Sequence, residues 1–486
     1  MLHSFTALVL GEVLLLAVSS LSFSETVFTP FTIEAGFANP GSVYACDIDG
    51  DGDNDVLAAA VDGDQIAWWR NDGGSPIAWT RFTIADAFGG AISVFAEDVD
   101  GDSRMDVLAA GYQRNQIAWW RNNGGDPITW TKQAIASYFM QAHEVYACDL
   151  DGDGDTDVLG VGIANNLIEW WRNDGGSPIV WTPQVLSSTF GGARSVRAAD
   201  LDGDGDRDVV GAALNDSKLT WWRNDGGTPI QWTEITITSS FGGSHMVRTC
   251  DMDLDGDVDL VAAAYVADQM AWWRNDGGDP VVWTKQVIAT GMDGALSVSP
   301  ADVDGDGDID VAGTAQNIND LVWWSNDGGS PIVWTAHMID DNFGGVWPVY
   351  AVDLDGDAHT DILAGGDTAD EIKWWRNEPQ AGVIDPGGNA GGGAGGNCLY
   401  QNSPNPFRPG TTIRFSLACE SAVKISVCDV QGRLVRTLVE GRQSAGPNRT
   451  EWDGRDGYGR PVTPGVYFLR MVTDDFSATK SAIVVR

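Results

Sequence analysis

Basic residues are scarce in this chain: 29 Lys and Arg stand against 69 Asp and Glu, a formal net charge of −40 over 486 residues. That balance argues against nucleic acid and anionic membrane surfaces as partners. Histidine is rarer still, with only His143, His245, His337 and His359 beyond the N-terminal segment. There is no HExxH zinc motif, GxSxG elbow, Walker loop or dinucleotide fingerprint, so the common hydrolase and nucleotide-dependent chemistries have no anchor. Long apolar runs are missing after residue 24, and no transmembrane segment is expected in the mature chain. Six cysteines are too few for a disulfide scaffold at this length.

Glycine (60) and tryptophan (22) are abundant instead, which suits turn-rich β structure better than helices. Aspartate-rich loops start at Asp47, Asp98, Asp149, Asp200, Asp251, Asp302 and Asp353, each 51 residues after the last. Such a period means one supersecondary unit stacked on itself. The loops hold 33 of the 69 acidic residues, so the acidity is local rather than that of a disordered tail. A divalent ion in each of the seven loops would bring the formal charge from −40 to −26.

One unit reads as four short strands. In the first, Val43–Cys46 enters the aspartate loop, Asp55–Val61 leaves it, Gln65–Arg70 follows a hairpin, and the turn Asn71–Pro76 leads to Ile77–Ala85. Alternation, β-branched and aromatic residues and Gly/Pro/Asn/Asp turns favour strands, and four-stranded units of this size are propeller blades. The last repeat runs out at Asn377–Pro379, before its fourth strand, while Phe28–Ile33 (FTPFTI) is in register with Trp79–Ile84 (WTRFTI) 51 residues on. A closed ring needs that offset, because the first strand then completes the last blade and removes the sheet edges. The expected fold is all-β: a seven-bladed β-propeller over residues 25–378, followed by a small Ig-like β-sandwich. Tryptophan pairs recur from Trp68 and Trp69 to Trp374 and Trp375. Adjacent strand residues face opposite ways, so each blade offers one indole to each neighbour, and the repetition reads as interblade packing rather than sugar platforms. Cys46, Cys148 and Cys250 sit in alternate units, too far apart to bond, and read as small buried side chains.

Carboxylates at loop positions 1, 3, 5 and 9 with a carbonyl at position 7 form the oxygen shell that Ca2+ requires. The candidate ligands are Asp47, Asp49, Asp51, Asp53 and Asp55 in loop one and Asp98, Asp100, Asp102, Arg104 and Asp106 in loop two. Loop three supplies Asp149, Asp151, Asp153, Asp155 and Asp157, and loop four Asp200, Asp202, Asp204, Asp206 and Asp208. Loop five supplies Asp251, Asp253, Asp255, Asp257 and Asp259, and loop six Asp302, Asp304, Asp306, Asp308 and Asp310. Loop seven supplies Asp353, Asp355, Asp357, His359 and Asp361. Position 7 contributes only its carbonyl, which is why Arg104 and His359 belong to the set. An EF-hand would end in Glu at position 12 between helices; here Asp closes the loop at nine, between strands. Up to seven Ca2+ ions are expected. Loops two and seven should bind less well, because Ser103 and Ala358 replace the position-6 glycine and a cation stands beside each. Loop five keeps Gly256 and should bind normally.

These units resemble the FG-GAP/VCBS-type repeats of integrin-like propellers, down to the FGGA of Phe88–Ala91 and Phe190–Ala193. The resemblance covers residues 28 to about 378. It implies a calcium-binding propeller acting as a binding or adhesion module; some propellers with similar loops are lectins or polysaccharide lyases.

Residues 1–24 read as a secretory signal, with an apolar run followed by small residues. Residues 379–397 are a Gly-rich linker, expected to be a flexible tether with an r.m.s. span of roughly 25 Å. Beyond it, 398–486 shows strand patterns at 411–417, 423–430, 450–456, 465–472 and 481–486, with Cys398, Cys419 and Cys428 able to form one bridge of undeducible pairing. Its Pro404–Phe407 (PNPF), Gly432–Val435 (GRLV), Trp452–Asp456 (WDGRD) and Gly465–Phe468 (GVYF) resemble the Ig-like C-terminal sorting domain of type IX secretion cargo, akin to the flagellar hook-capping Ig-like domain. That resemblance implies passage through the periplasm by a type IX-like machinery to the bacterial cell surface or medium.

Positions that differ between blades point to a ligand site. The entry to the first strand is Gly41, Ile92, His143, Arg194, His245, Leu296 and Trp347 around the ring, and the hairpin after the second strand varies too, with Tyr112 and Tyr265 among its residues. His143, Arg194 and His245 then share one channel mouth, with Arg197 and Arg248 just inside and Trp347 on the rim. A cationic cluster in so acidic a chain suggests an anionic ligand, such as a uronic-acid polysaccharide; a surface protein is the other partner class. Arg70 and its equivalents recur in six blades and read as structural. The expected function is a secreted or cell-surface binding module, with a Ca2+-dependent polysaccharide lyase or other carbohydrate-active enzyme as the alternative.

Overall fold

A computed structural model describes residues 26–379 and most of 398–484. The expected signal segment and nearly all of the linker lie outside the described residues; Pro379, assigned above to the linker, ends a strand instead. Residues Val27–Glu378 form one compact unit and the C-terminal region another.

The first unit is a ring of seven four-stranded antiparallel sheets. Blade one runs Pro40–Cys46, Asp55–Ala60, Gln65–Asn71 and Trp79–Ala85 from the inside out. The inner strand starts three residues earlier than the sequence suggested, and Ile77 and Ala78 belong to the turn. Inner strands of successive blades touch around the ring, and Val346–Val352 of blade seven touches Pro40–Cys46 of blade one. The ring is closed. Its closure uses the N-terminal strand: Thr26–Ala35 lies against Glu371–Pro379 as the outer strand of blade seven.

Packing between blades is aromatic. Trp68 joins Phe88 and Trp120 of blade two in one core cluster, while Trp69 joins Leu363 and Trp374 of blade seven in another. The two indoles therefore face opposite neighbours, as strand geometry requires. A phenylalanine before each GG pair stands edge-on to a tryptophan, with ring centroids 5.1 Å apart for Phe88–Trp120 and 5.0 Å for Phe190–Trp222. Edge-to-face contact is the favoured aromatic geometry. The second glycine is required locally: Gly90 has φ of 65°, and a Cβ there would lie 2.8 Å from the backbone N of Gln113. Blade six uses buried Met292 in place of the phenylalanine.

The C-terminal unit has two sheets. Cys398–Leu399, Thr411–Leu417 and Gly446–Trp452 form one; Leu434–Gln443, Ser421–Asp429, Gly465–Val472 and Ser477–Val484 form the other. Its core centres on Trp452, whose ring lies 5.3 Å from both Phe407 and Tyr467. The indole N–H donates to the Arg455 carbonyl at 2.9 Å and the Tyr467 hydroxyl to Thr463 O at 2.8 Å. The PNPF, WDGRD and GVYF segments thus each contribute one core aromatic. Leu434–Gln443 was missed in the sequence because it is only half-buried and lacks a regular alternation. Cys428 carries a free thiol.

Candidate metal loops and channel mouth

Each aspartate loop connects an inner strand to its partner at one end of the ring. In loop one the position-1 carboxylate folds back over the turn, with Asp47 Oδ1 accepting Gly50 N at 2.7 Å and Oδ2 accepting Gly52 N at 3.0 Å. The position-9 residue, Asp55, is fully buried and accepts Ile48 N at 3.0 Å and Asn71 N at 2.9 Å. The same two backbone bonds recur at Asp106, Asp157, Asp208, Asp259, Asp310 and Asp361. Burial pushes Asp55 up to about 7 and Asp361 up to about 8, against the lowering effect of those bonds. A charge held there without a counter-ion is costly.

Carboxylate oxygens of Asp47, Asp49 and Asp55 lie within 4.8 Å of one another, as do those of the equivalent residues in loops two, three and four, while in loop five the cluster is Asp251, Asp253 and Asp255. At position 3, Asp100 Oδ1, Asp151 Oδ1 and Asp253 Oδ1 are buried without any hydrogen-bond partner. An acceptor left so costs about 1–3 kcal/mol, and three converging carboxylates leave a cation as the partner that fits. Side chains at position 7 (Asp53, Asp155, Asp206, Asp257) are exposed, in keeping with a carbonyl contribution there. The turn stays left-handed where glycine is lost: φ is 68° at Ser103 and 72° at Ala358, against 95–102° for the position-6 glycines. Loop five carries a strain the sequence reading passed over, since Leu254 at position 4 has φ of 59°.

Asn71, which the sequence reading treated as a turn residue, ties the blades together. Its side-chain amide donates to Asn54 O at 3.2 Å and to Leu354 O of blade seven at 3.0 Å. Asn122, Asn173, Asn275 and Asn377 repeat the cross-blade bond. The signal was visible as an unbroken Asn at the end of every WWR or WWS.

The other ends of the inner strands meet at a channel lined by residues of all seven blades, enclosing about 320 Å³. His143, Arg194, His245 and Trp347 come together there as expected: the two imidazoles are 5.9 Å apart, and Trp347 lies 6.1 Å from His143 and 6.0 Å from His245. An adjoining hollow of about 230 Å³ is lined by Arg194, Leu214, His245, Tyr265, Leu296, Gln316 and Trp347. Each imidazole Nδ1 faces a carbonyl of the next blade, Arg194 O at 2.9 Å and Leu296 O at 3.1 Å, which fixes the Nδ1–H tautomer and leaves Nε2 as an acceptor. His143 Nε2 and Arg194 Nε are buried without a partner.

Two expectations need correction. The mouth is less cationic than a cluster of His143, Arg194 and His245 implies, because burial, with Arg194 adding to it, pushes His143 down to about 3 and His245 well below its ordinary value. Arg197 and Arg248, placed just inside the mouth as part of its positive charge, both face Glu144, at 2.7 and 3.6 Å. Glu144 stands where blades one, two, four and six have serine, and its Oε2 also accepts Val196 N at 2.8 Å. Burial alone would raise its carboxyl; the two guanidiniums outweigh that and hold it below the usual range. Burial brings Arg248 down to about 9. The hairpins are also less free than they looked: Asp64 Oδ1 accepts Gly90 N at 2.7 Å and Asn115 Oδ1 accepts Gln141 N at 2.7 Å, clasping the next blade.

The FG-GAP-like repeat model matches six overlapping segments, 47–109, 98–160, 149–211, 200–262, 251–313 and 302–364, together more than half of the chain. The chain belongs to the FG-GAP-like repeat family. Each match runs from one aspartate loop past the next, so six matches span all seven loops. The FlgD Ig-like domain model matches residues 408–475 of this FG-GAP-like repeat protein. No curated protein sequence matches it. Among solved structures, the crystal structure of BBS1N in complex with ARL6DN, soaked with lead, is similar at 11% identity and a TM-score of 0.50, covering 74% of this chain and 98% of that one. The same complex soaked with mercury gives 14% identity and a TM-score of 0.49 over the same shares of the two chains. The first likeness concerns the fold alone. Among the described residues, no helix is long and apolar enough to cross a membrane.

Proposed function

We propose that this FG-GAP-like repeat protein is an exported, calcium-dependent binding module that takes an anionic glycan at the channel mouth. Ca2+ in the aspartate loops stiffens one face and leaves the opposite face to the ligand. One observation carries the reading: Arg194 is a largely buried guanidinium with no ion pair among the described residues and an unpartnered Nε. An anion supplies what it lacks, through charge-assisted hydrogen bonds. His143 Nε2 adds an acceptor for a sugar hydroxyl, and Trp347 adds an aromatic face for a pyranose ring. Arg197 and Arg248 support the mouth from below rather than meeting the ligand, since Glu144 engages both. A lyase is the weaker reading, because the aspartate loops lie at the far end of the inner strands from the imidazoles.

The test is a glycan array with the purified propeller and its Arg194→Ala variant. Acidic glycans should be captured by the parent, less tightly as salt rises, and not by the variant. An ultraviolet assay for unsaturated uronate products should stay flat. Capture that survives R194A moves the site to the hairpin rim around Tyr112 and Tyr265. In the same reading, residues 1–24 direct export, and the C-terminal domain is the label read by a type IX-like secretion machinery. A chain ending at residue 397 should then fold its propeller but accumulate in the periplasm; normal appearance at the cell surface would reduce the domain to a structural module.

A further inference from the structure

The recurring arginine at the end of the third strand does two different things around the ring. In blades one, three, four and five it turns outward to the aspartate of the NDGG turn. Arg70 Nε meets Asp72 at 2.7 Å, Arg172 meets Asp174 at 2.7 Å, Arg223 meets Asp225 at 2.7 Å and Arg274 meets Asp276 at 2.6 Å. A threonine hydroxyl, such as Thr233 at 2.5 Å from Asp225, completes each acceptor. Blade six has Ser325 in place of the arginine, bonded to Asp327 at 2.8 Å.

Blades two and seven lack that turn aspartate: Asn123 and Glu378 stand there. Their arginines turn the other way, into the aspartate loop. Arg121 reaches Asp100 Oδ2 at 2.5 Å and Asp102 Oδ2 at 3.1 Å. Arg376 reaches Asp355 Oδ2 at 2.7 Å and Asp357 Oδ2 at 3.4 Å. In loop two a second guanidinium, Arg104, also pairs with Asp102. The position-5 carboxylate is thereby used up. Asp102 Oδ1 accepts Arg104 N at 3.1 Å and Asp357 Oδ1 accepts His359 N at 3.0 Å, so both oxygens of each are engaged. In the other loops the matching Oδ1 takes the same backbone bond, as Asp51 does from Asp53 N at 3.0 Å. Their Oδ2 has no hydrogen-bond or ion-pair partner among the described residues.

We propose that Arg121, with Arg104, and Arg376 are the resident cations of loops two and seven, and that these loops take no metal. The propeller then holds five Ca2+ ions rather than seven. The proposal rests on the reading that the other five loops bind Ca2+. Three departures coincide in the same two loops: the inward arginine, the non-glycine at position 6, and a fifth acid replaced by Arg104 or His359. A guanidinium stays charged at any relevant pH. A divalent ion entering loop two would have to displace two such groups and lose position 5 as a ligand. Asp98, Asp100 and Asp106 still converge and Asp100 keeps an unpartnered Oδ1, but a loop that already holds two positive charges is a poor start for a shell of six to eight oxygens around a divalent ion.

The experiment is calcium counting on the full chain, by elemental analysis after equilibration with Ca2+ and removal of free ion. Five ions per chain are expected. Asp100→Ala and Asp355→Ala should leave the count unchanged, whereas Asp49→Ala should lower it by one. A triple variant, S103G with R104D and N123D, rebuilds loop two on the pattern of loop one and should add an ion even if an alanine variant folds poorly. Six or seven ions in the parent, a loss in D100A or D355A, or no gain in the triple variant overturns the proposal. A parent without calcium overturns the calcium reading itself.

Discussion

At the residue scale, the least expected group is Glu144. Serine serves at this strand position in four other blades, where Ser93, Ser195 and Ser297 accept the same cross-blade backbone N–H. Glu144 keeps that bond and adds a carboxylate between Arg197 and Arg248. Removing one partner of a buried charge group costs about 3–5 kcal/mol, because the others are left uncompensated. Glu144→Gln should lower the unfolding free energy by about that amount in a denaturant titration, and added sulfate should recover part of it. An unchanged midpoint would mean that the arginines find solvent instead. The histidines make a second prediction. Their folded pKa values lie far below the unfolded value of about 6.5, so as pH falls below 6.5 the unfolded chain binds protons that the native chain does not. Stability from this pair is fully present above pH 6.5 and is lost as pH falls toward about 3, the value for His143. Proton NMR of His143 should show no titration between pH 8 and 5, and ligand affinity should not rise over that range on account of either imidazole.

At the element scale, the N-terminal strand does more than fill an edge. Glu34 accepts Trp69 Nε1 at 3.1 Å and Arg81 Nη1 at 3.4 Å, and Gly36 N and Phe37 N donate to Asp370 O at 2.7 and 2.9 Å. The strand therefore latches blade seven to blade one, beside the Asn71–Leu354 bond. Deleting Thr26–Ala35 should broaden the unfolding transition or cause aggregation through the reopened edge; a deletion chain that melts like the parent would place closure elsewhere. This element was legible in the sequence because FTPFTI and WTRFTI share a register and the last repeat lacks a strand. The inner-strand starts were not, since Pro40–Ser42 breaks the expected alternation while being held by its neighbours. The destination of Arg121 and Arg376 was likewise hidden: WWRN reads the same in six blades, and only the identity of residue 123 or 378 decides which way the guanidinium turns. The histidines were found but misjudged, because sequence gives their position and not their burial.

At the scale of the whole molecule, the aspartate loops set a pH rule that metal should reverse. Without metal, the seven position-9 carboxylates have folded pKa values raised by burial to about 7, and about 8 for Asp361, well above the unfolded value. Between roughly pH 4 and 7 the native chain then binds protons that the unfolded chain has released. Stability from these groups is full below about pH 4 and is lost as pH rises through about 7. Metal ligation needs the deprotonated carboxylate, so Ca2+ competes with those protons and gains on them as pH rises. Each filled site adds about 2.7 kcal/mol at a free Ca2+ concentration of 100 Kd. Melting the propeller in excess EGTA should therefore give a lower Tm at pH 7.5 than at pH 5.5. In saturating Ca2+ the order should invert, and the Tm difference between the two buffers should be widest at pH 7.5. Identical melts with and without Ca2+ at pH 7.5 would remove the metal from the loops altogether. A Ca2+ effect of equal size at both pH values would instead leave the ion in place but take the buried position-9 carboxylates out of its shell.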